Sequence, residues 1–515
     1  MRPPPVPAAA LSAVPAAVLS AALSAGLLFH GTGLTPVPWL TWLAPLPVLL
    51  LAPRAPAPAA AGAAFAAWAA GGLNMWSFHR EQLETPLPAA VAVVTAPALL
   101  AVAAVLAFRA LARRGRPGRA ALSVPVIWVS GEYLMSVLGP HGALWSLAYT
   151  QAGVLPVIQL ASLTGVWGVT FALTGVPAAA AALCAPGAAR RARLGTALVA
   201  LLLLAAAAGY GAVRLAEPPG PRRTVALLAA GQRGDWAPVD TPRGRRKLAD
   251  VLARLRALPP GTETAVLAEG AFVTDTANLA RITGPLAELA RDRRLDIVAG
   301  VIVTDAARNT AVLLPASGGG PRVYHKRHMV PGVEPYRPGD RILVAGGSGV
   351  AICRDLDFPG LAREYRRSGA RIMLVPAWDF DRDAWHHSRP AVVRGVENGF
   401  SVARSAANGD LTASDPYGRV LAERGAGSRA LTTVVAAVPA GGTGTLYTRW
   451  GDWFARLCLA AAAVAGGSAA VRLARAARPS RASRKTERRS DLLSTDRERA
   501  AMIGAQADPG PVEGS

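Results

Sequence analysis

Residues 349–360 read GVAICRDLDFPG, and this stretch carries the cysteine on which the interpretation of the chain depends. A short apolar run, residues 350–352, leads into Cys353, and acidic, turn-forming and basic residues follow immediately. The chain has three cysteines, and the other two, Cys184 and Cys458, lie in apolar runs. A lone thiol at the end of a strand-like segment is either an inert buried residue or a nucleophile.

Apolar residues are distributed unevenly along the chain on both sides of this stretch. It has 515 residues, of which 52% are hydrophobic and only 17% are charged. Residues 1–215 form a series of Ala/Leu/Val runs with few acids, whereas residues 221–448 have the composition of a globular domain. A helix needs about 20 apolar residues to cross a hydrocarbon core of about 30 Å. We therefore expect about eight membrane spans, near 8–29, 38–53, 57–77, 87–108, 120–138, 156–184, 194–213 and 453–471.

These runs predict four regions along the chain. Residues 1–220 form a helical membrane domain of about seven spans, and 221–448 form an inserted α/β domain. Residues 449–472 form a last membrane helix, and 473–515 form a basic tail that is disordered or touches anionic lipid headgroups. The first run could also be a cleaved signal peptide, but it is long for one, so we expect a retained helix.

The positions of the basic residues predict the orientation. Formal net charge is +22, which could indicate nucleic-acid binding. However, Arg54, the arginines within 109–119, those within 190–193 and the basic tail all fall on one side if eight spans alternate. The positive-inside rule makes that side cytoplasmic. We therefore expect a cell-membrane protein that binds no nucleic acid, with residues 221–448 outside the cytoplasm and the tail inside.

The inserted region has the pattern of a mixed α/β domain with a buried sheet. Short apolar runs bounded by turn residues predict strands, and amphipathic patterns within 243–258 and 276–294 predict helices between some of them. With one cysteine, this domain has no internal disulfide. The strand-like stretches are RTVALLAAG (223–231), ETAVLAEGAF (263–272), RLDIVAGVIVTD (294–305), NTAVLLPASGGG (309–320), SGVAICRDLDF (348–358), ARIMLVPAWDF (370–380) and NGFSVARSAANG (398–409).

Three chemically active residues lie at or just after such strands: Glu269, Lys326 and Cys353. A thiol needs activation, because the thiolate is the nucleophile. A carboxylate can act as its general base, and a fixed ammonium can stabilise the oxyanion formed when an acyl group is attacked. Spacing alone leaves the inert alternative open, since isolated Glu and Lys residues are usually solvated surface charges.

The segments YHKRHMVPGVEPYRPGD (324–340) and GVAICRDLDFPG resemble the nitrilase, or carbon–nitrogen hydrolase, superfamily. That superfamily has a four-layer α-β-β-α sandwich and a Glu–Lys–Cys triad. The membrane-side segments WLAPLPVLLL (42–51), LWSLAYTQAGVLPVIQLASLTGVWGVTF (144–171) and TLYTRWGDWF (445–454) resemble its membrane-embedded branch, the apolipoprotein N-acyltransferases. The resemblance implies this sandwich beside a polytopic α-helical membrane domain.

The resemblance also implies roles for individual residues. Glu269 corresponds to the general base, Lys326 to the oxyanion stabiliser and Cys353 to the nucleophile. Glu334 corresponds to an assisting glutamate, although a loop ion pair with Arg337 or Arg341 is an alternative.

The two residues after the cysteine complete the expected supporting set. Asp355 either orients the triad or caps a helix. Arg354 departs from the family, whose acyltransferases commonly have an aromatic residue at this position.

The expected activity is transfer of an acyl chain from a phospholipid, through a thioester on Cys353, to the α-amino group of a diacylglyceryl-cysteine on an apolipoprotein. We expect a monomer that needs no cofactor. A metal is not expected, because the histidines have no standard zinc-ligand spacing. A membrane-tethered amidase that passes the acyl group to water and a catalytically silent lipoprotein-binding protein are the alternatives.

Overall fold

The computed structural model describes residues 8–218, 220–231, 236–427, 431–442 and 444–477. The basic tail expected from residue 473 lies outside the described residues beyond Ala477. By packing, the chain up to Leu459 forms one unit, and the remainder of the last helix belongs to a second.

The N-terminal half is built of apolar helices that contact one another largely through alanines. Small residues allow close approach of helix backbones, as is typical of membrane helix bundles. The helices are α1 (Ala8–Gly31), α2 (Pro38–Leu43), α3 (Leu46–Leu51), α4 (Ala57–Gly72), α5 (Leu87–Ala112), α6 (Pro117–Leu138), α7 (Leu155–Ile158), α8 (Ala161–Thr164), α9 (Val166–Leu183) and α10 (Arg190–Ala216).

An α/β domain follows and leads into two further helices. Its strands are β1 (Arg222–Ala229), β2 (Thr264–Leu267), β3 (Phe272–Thr274), β4 (Asp296–Val303), β5 (Arg308–Leu314), β6 (Arg322–His325), β7 (Leu343–Ala345), β8 (Ser348–Val350), β9 (Ile372–Trp378), β10 (Ser401–Ala407), β11 (Asp410–Ser414), β12 (Val420–Gly425) and β13 (Thr432–Pro439). The helices are α11 (Pro242–Arg256), α12 (Ala280–Arg293), α13 (Pro359–Arg367), α14 (Ala384–Asn398), α15 (Leu446–Trp450) and α16 (Trp453–Ala477).

The strands form two sheets that pack face to face. One sheet has the order β13-β1-β2-β4-β5-β6, with β3 paired to β4, and the other has the order β12-β11-β10-β9-β8-β7. A shared apolar core lies between the sheets. Helices α11 and α12 cover the outer face of the first sheet, and α14 packs on β10 and β11 of the second. This confirms the expected four-layer α-β-β-α sandwich beside an apolar helical half.

Six helices among the described residues are long and apolar enough to cross a membrane: α1, α5, α6, α9, α10 and α16. The expected span 38–53 is instead two short helices, because Pro45 separates α2 from α3. The expected span 57–77 is a 16-residue helix that continues as a 3-10 turn. The expected span 156–184 is divided at Gly165, whose φ of 71° lies outside the helical region.

Buried polar contacts join the α/β domain to the helical half. The Glu397 carboxylate on α14 accepts a hydrogen bond from the Val166 amide at 2.8 Å, and Arg394 donates to Glu397 and to the Tyr149 hydroxyl. The Arg394–Glu397 ion pair lies within α14, and docking of the helical half supplies the Val166 amide and the Tyr149 hydroxyl that complete its hydrogen bonding.

Gly165 is a position where we expect substitution to disturb this docking. A Cβ there would lie 2.5 Å from the Tyr447 ring, and the positive φ is strained for any other residue. We expect Gly165→Ala to lower the free energy of unfolding by roughly 1–3 kcal/mol. Thermal unfolding in detergent measures this, with Gly153→Ala as the control because Gly153 faces open space. Equal unfolding temperatures for the two variants would contradict the role assigned to Gly165.

Candidate active site

Glu269 lies just after β2, where the first sheet meets the second. Its amide donates to the carbonyl of Ala377 on β9 at 3.2 Å, which fixes the backbone between the sheets. Its Oε1 accepts hydrogen bonds from Lys326 Nζ at 2.7 Å and from Asn309 Nδ2 at 2.6 Å. The side chain is 4% exposed, and its Oε2 has no partner among the described residues. One carboxylate oxygen is therefore free to accept a proton.

Lys326 follows β6 and is 1% exposed. Its Nζ also donates to Glu334 Oε1 at 2.7 Å, so the ammonium lies between two carboxylates. Glu334 Oε2 accepts a hydrogen bond from the Val330 amide at 2.7 Å, which holds the intervening loop in place. Among the described ion pairs, Glu334 pairs with this lysine and with neither Arg337 nor Arg341.

Cys353 begins a 3-10 turn that follows β8. Its φ is 48°, a conformation that is unusual for a non-glycine residue and is often found at functional sites. The thiol is 9% exposed and donates to the Trp378 carbonyl at 3.4 Å. The turn thus holds the sulfur at the edge of the shared core, at the side where Glu269 and Lys326 also lie.

Asp355 joins the lysine segment to the cysteine turn. Its Oδ1 accepts hydrogen bonds from the His328 amide at 2.9 Å, and its Oδ2 accepts from the Tyr324 hydroxyl at 2.7 Å. Oδ2 also accepts from the Ile352 amide at 3.1 Å, immediately before the cysteine. The carboxylate therefore contributes to the turn and also holds the strand and loop that flank Lys326.

Arg354 links the cysteine turn to two other segments. Its guanidinium donates to the Met329 carbonyl at 3.0 Å and to the Pro140 carbonyl, in the loop after α6, at 2.7 Å. The Ala143 amide in that loop donates to the Asp357 carbonyl at 2.9 Å. The turn that carries the thiol is therefore bonded directly to the membrane half.

Burial and the neighbouring charges determine the protonation states of Glu269, Cys353 and Lys326. Burial raises the pKa of Glu269 to about 7, with Lys326 opposing the rise and Glu334 adding to it. Burial and then the Glu269 carboxylate raise the pKa of Cys353 well above its ordinary value, although Lys326 and Arg404 act against them. Burial lowers the pKa of Lys326, but Glu269 and Glu334 more than offset this and raise it overall. Near neutral pH the thiol is protonated, and the adjacent carboxyl is close to its titration midpoint.

A cavity of about 640 Å³ lies in the helical half. Largely apolar residues from α1, α4, α5 and α6 form one part of its wall. Further lining comes from the segments 32–36 and 74–79, from residues 139–150, which include those bonded to the cysteine turn, and from Trp167, Trp385 and His386. The cavity therefore borders the same loop that Arg354 ties to the turn.

Two family models match most of the chain. Residues 13–179 match the apolipoprotein N-acyltransferase N-terminal domain, and residues 213–447 match carbon–nitrogen hydrolase. An apolipoprotein N-acyltransferase of Geobacter metallireducens is 28% identical over 404 residues, covering 69% of this chain and 75% of that protein. Its namesake from Gloeobacter violaceus is 28% identical over 394 residues, covering 68% and 72%. The chain belongs to the apolipoprotein N-acyltransferase family.

Solved structures are also similar to part of the chain. An amidase from Nesterenkonia sp. aligns with 45% of the chain and 94% of its own, at 22% identity and a TM-score of 0.36. A carbon–nitrogen hydrolase from Helicobacter pylori aligns with 42% of the chain and 89% of its own, at 16% identity and a TM-score of 0.36.

Other functional candidates in this apolipoprotein N-acyltransferase family member were not predicted from the sequence. Asn309, on β5, donates to both Glu269 Oε1 and Glu334 Oε1, at 2.6 Å and 3.0 Å. The only sequence feature that could have identified Asn309 is its position as a polar residue at the start of an apolar run. Arg404 on β10 forms a buried ion pair with Asp379, and both act on the pKa of Cys353. In the described part of the chain, no group of three or more His, Cys, Asp or Glu side chains is placed to hold a metal.

The pKa of Glu269 predicts how the reactivity of the thiol depends on pH. We expect alkylation of Cys353 by iodoacetamide to accelerate as pH rises, with a midpoint near 7. Below that pH, Glu269 carries a proton and cannot accept the one on the thiol. Peptide mass spectrometry at each pH measures the rate at this cysteine alone.

Two variants test the assignment of that midpoint. In Glu269→Gln the acceleration should move to higher pH, toward the titration of the thiol itself. Glu263→Gln is the control, because Glu263 is an exposed carboxylate in a surface pair with Arg223. An unchanged pH profile in Glu269→Gln would contradict the role of the carboxylate.

Proposed function

We propose that this chain is a phospholipid–apolipoprotein N-acyltransferase in which Glu269, Lys326 and Cys353 carry out the reaction. The main support is one observation: a buried carboxylate with a free oxygen lies against a buried ammonium, beside a thiol whose pKa both affect. The names of the relatives support the same activity.

The first half-reaction acylates the enzyme. Glu269 takes the proton from Cys353, and the thiolate attacks the ester carbonyl carbon of a phospholipid. The resulting tetrahedral oxyanion collapses, the carbon–oxygen bond to the glycerol breaks, and Glu269 returns the proton to the leaving oxygen. The products are a thioester on Cys353 and a lysophospholipid.

Lys326 stabilises the negative charge that develops in this step. Its ammonium is fixed by two carboxylates and is buried, so little reorganisation is needed when the oxyanion forms. Glu334 and Asn309 act as positioning residues, because both contact the ammonium or the carboxylate rather than the thiol.

The second half-reaction transfers the acyl chain. The neutral α-amino group of a diacylglyceryl-cysteine attacks the thioester carbonyl, and Glu269 accepts a proton from the amine. The carbon–sulfur bond then breaks, the thiolate regains a proton, and an amide is formed. Amides are more stable than thioesters, so this step proceeds forward.

We further propose that the α/β domain lies on the extracytoplasmic side, with the C-terminal tail in the cytoplasm. The distribution of basic residues along the sequence supports this orientation. Both substrates are anchored in lipid, and the bonds between the cysteine turn and the loop at Pro140 keep the thiol next to the membrane half. Under this proposal neither lipid has to leave the bilayer to react.

The intact mass of the protein after incubation with phosphatidylglycerol tests the proposal. We expect the wild type to gain the mass of one acyl chain, and Cys353→Ala to gain none. Hydroxylamine should remove the added mass because it cleaves thioesters. A diacylglyceryl lipopeptide should also remove it and should itself gain the chain as an amide.

Two results would count against this activity. If phosphatidylglycerol and phosphatidylethanolamine both leave the wild-type mass unchanged, the acyltransferase proposal fails. If the thioester forms but decays at the same rate with and without lipopeptide, water is the acceptor and the chain is a hydrolase. Cys458→Ala is the matched control, since Cys458 is also a buried free cysteine.

A further inference from the structure

A buried ion pair lies beside the strand end that contacts the thiol. Arg404 is on β10 and Asp379 directly follows β9, and both side chains are buried. Arg404 Nη1 donates to Asp379 Oδ2 at 2.9 Å, and Nη2 donates to Oδ1. Two parallel hydrogen bonds of this kind fix the direction of a guanidinium as well as its distance. Because a buried ion pair often adds little to stability, and the half-reactions described above use neither residue, the pair needs another explanation.

One peptide group connects this pair to Cys353. Its oxygen, the Trp378 carbonyl, accepts a hydrogen bond from the thiol at 3.4 Å. Its N–H, the Asp379 amide, donates to the Ala407 carbonyl on β10 at 2.9 Å. Since the Asp379 side chain is bonded to Arg404 on the same strand, the ion pair and the thiol are held in a fixed relation to each other.

The Asp379 carboxylate is closely confined. A Cβ at Gly409 would lie 1.9 Å from Asp379 Oδ2, so only glycine at this position admits the carboxylate. A second cation is also near, because His387 Nδ1 lies 3.7 Å from Asp379 Oδ1 and 2.6 Å from Asp383 Oδ2. Burial lowers the pKa of His387, but Asp383 and then Asp379 outweigh this and raise it to about 9. Arg404 and His387 therefore share the charge of Asp379.

The charges that act on the sulfur come from four segments. Burial raises the pKa of Cys353, and the Glu269 carboxylate after β2 adds to the rise. Lys326 after β6 and Arg404 on β10 oppose it, whereas Asp379 adds to it, less strongly than Arg404 opposes it. The Arg404–Asp379 pair as a whole therefore favours negative charge on the sulfur. Lys326 is held between two carboxylates that compensate its charge, which makes the contribution of Arg404 more important.

We propose that Arg404 stabilises the negative charge on the sulfur of Cys353, while Lys326 stabilises the charge on the acyl oxygen. The sulfur is negative twice in the reaction. The first time is when the thiol gives its proton to Glu269, and the second is when the carbon–sulfur bond breaks and its electron pair returns to the sulfur. Arg404 bonds Asp379 and no reacting atom, so it is a positioning residue. The roles of the sulfur in catalysis rest on the proposed function, whereas the effect of Arg404 on the thiol does not.

The rate at which iodoacetamide alkylates Cys353 in the full chain tests this inference. At about pH 8, above the midpoint of Glu269, we expect Arg404→Gln to slow alkylation about tenfold, because losing a nearby opposite charge shifts a pKa by about one unit. Asp379→Asn should accelerate alkylation by a similar factor, since the charge of Arg404 is then uncompensated. A pair that only holds the strands together would change the rate in the same direction in both variants.

Arg404→Lys separates the charge from the hydrogen-bond geometry, because lysine keeps the charge but cannot form the two parallel bonds. We expect its alkylation rate to stay within about threefold of the wild-type rate. Arg389→Gln is the matched control. Arg389 is also a buried arginine with two hydrogen bonds to one carboxylate, that of Glu423, and its replacement should leave the alkylation rate unchanged.

Acyl transfer provides a second readout. The initial rate at which the protein gains acyl mass from phosphatidylglycerol should fall in Arg404→Gln about as much as the alkylation rate does, because both reactions consume the thiolate. If the wild type gains no acyl mass but the alkylation rates follow the charge, the proposed function fails and the effect of Arg404 on the thiol stands. If the wild type gains acyl mass but the alkylation rates do not follow the charge, the proposed function stands and this inference fails.

Thermal unfolding in detergent shows which variants fold. Equal alkylation rates in the wild type and Arg404→Gln overturn the inference, and so does a change in the same direction in Arg404→Gln and Asp379→Asn. If either of these two variants does not fold, Arg404→Lys decides. A rate within about threefold of wild type then supports the inference, and a larger loss in the folded protein overturns it.

Discussion

The buried ammonium of Lys326 is the constraint on which the rest of the site depends. A charge that is 1% exposed is strongly unfavourable unless it is paired and hydrogen-bonded. Its two carboxylate partners, Glu269 and Glu334, come from different segments, one after β2 and one in the loop that leads to β7. Removing either would leave a buried charge poorly compensated, which typically costs several kcal/mol. The ammonium therefore determines where two separate chain segments must meet.

The same three charges give Glu269 the raised pKa that its proposed role as a base requires. Two carboxylates and one ammonium in a buried space carry one excess negative charge. Burial penalises that excess, so the carboxyl whose Oε2 lacks a partner retains a proton to a higher pH than usual. A base with a pKa near the working pH can both take and return a proton. In the proposed reaction, each acyl step uses Glu269 in both ways. The arrangement that pairs the buried ammonium of Lys326 therefore also raises the pKa of Glu269.

Local features of the fold could be predicted from the sequence, whereas contacts between distant segments could not. The strands that precede Glu269 and Cys353 could be predicted because each is a short apolar run closed by turn residues. The breaks in the expected membrane spans were missed, because composition over twenty residues does not reveal the positive φ of Gly165 or its packing against the Tyr447 ring. Strands β11 and β12 were missed because they lack long apolar runs, and β13 was missed although it contains the run VVAAV (434–438). Asn309 could not be identified either, because its role depends on two glutamates that are 40 and 25 residues away in sequence.

Insertion of an α/β domain between membrane helices requires that its ends meet, and that the reacting group face the helices. The first requirement is met by β1 and β13, which pair antiparallel along their full length, so the chain leaves the domain beside the point where it entered. The second is met at the cysteine turn, where Arg354 stands in place of the aromatic residue that the family resemblance led us to expect. Its guanidinium bonds the Met329 carbonyl of the lysine segment and the Pro140 carbonyl of the membrane half. A planar group with several donors can satisfy two carbonyls at once, which an aromatic ring cannot. This departure from the expected pattern thus adds a direct connection between the cysteine turn, the lysine segment and the loop that walls the cavity.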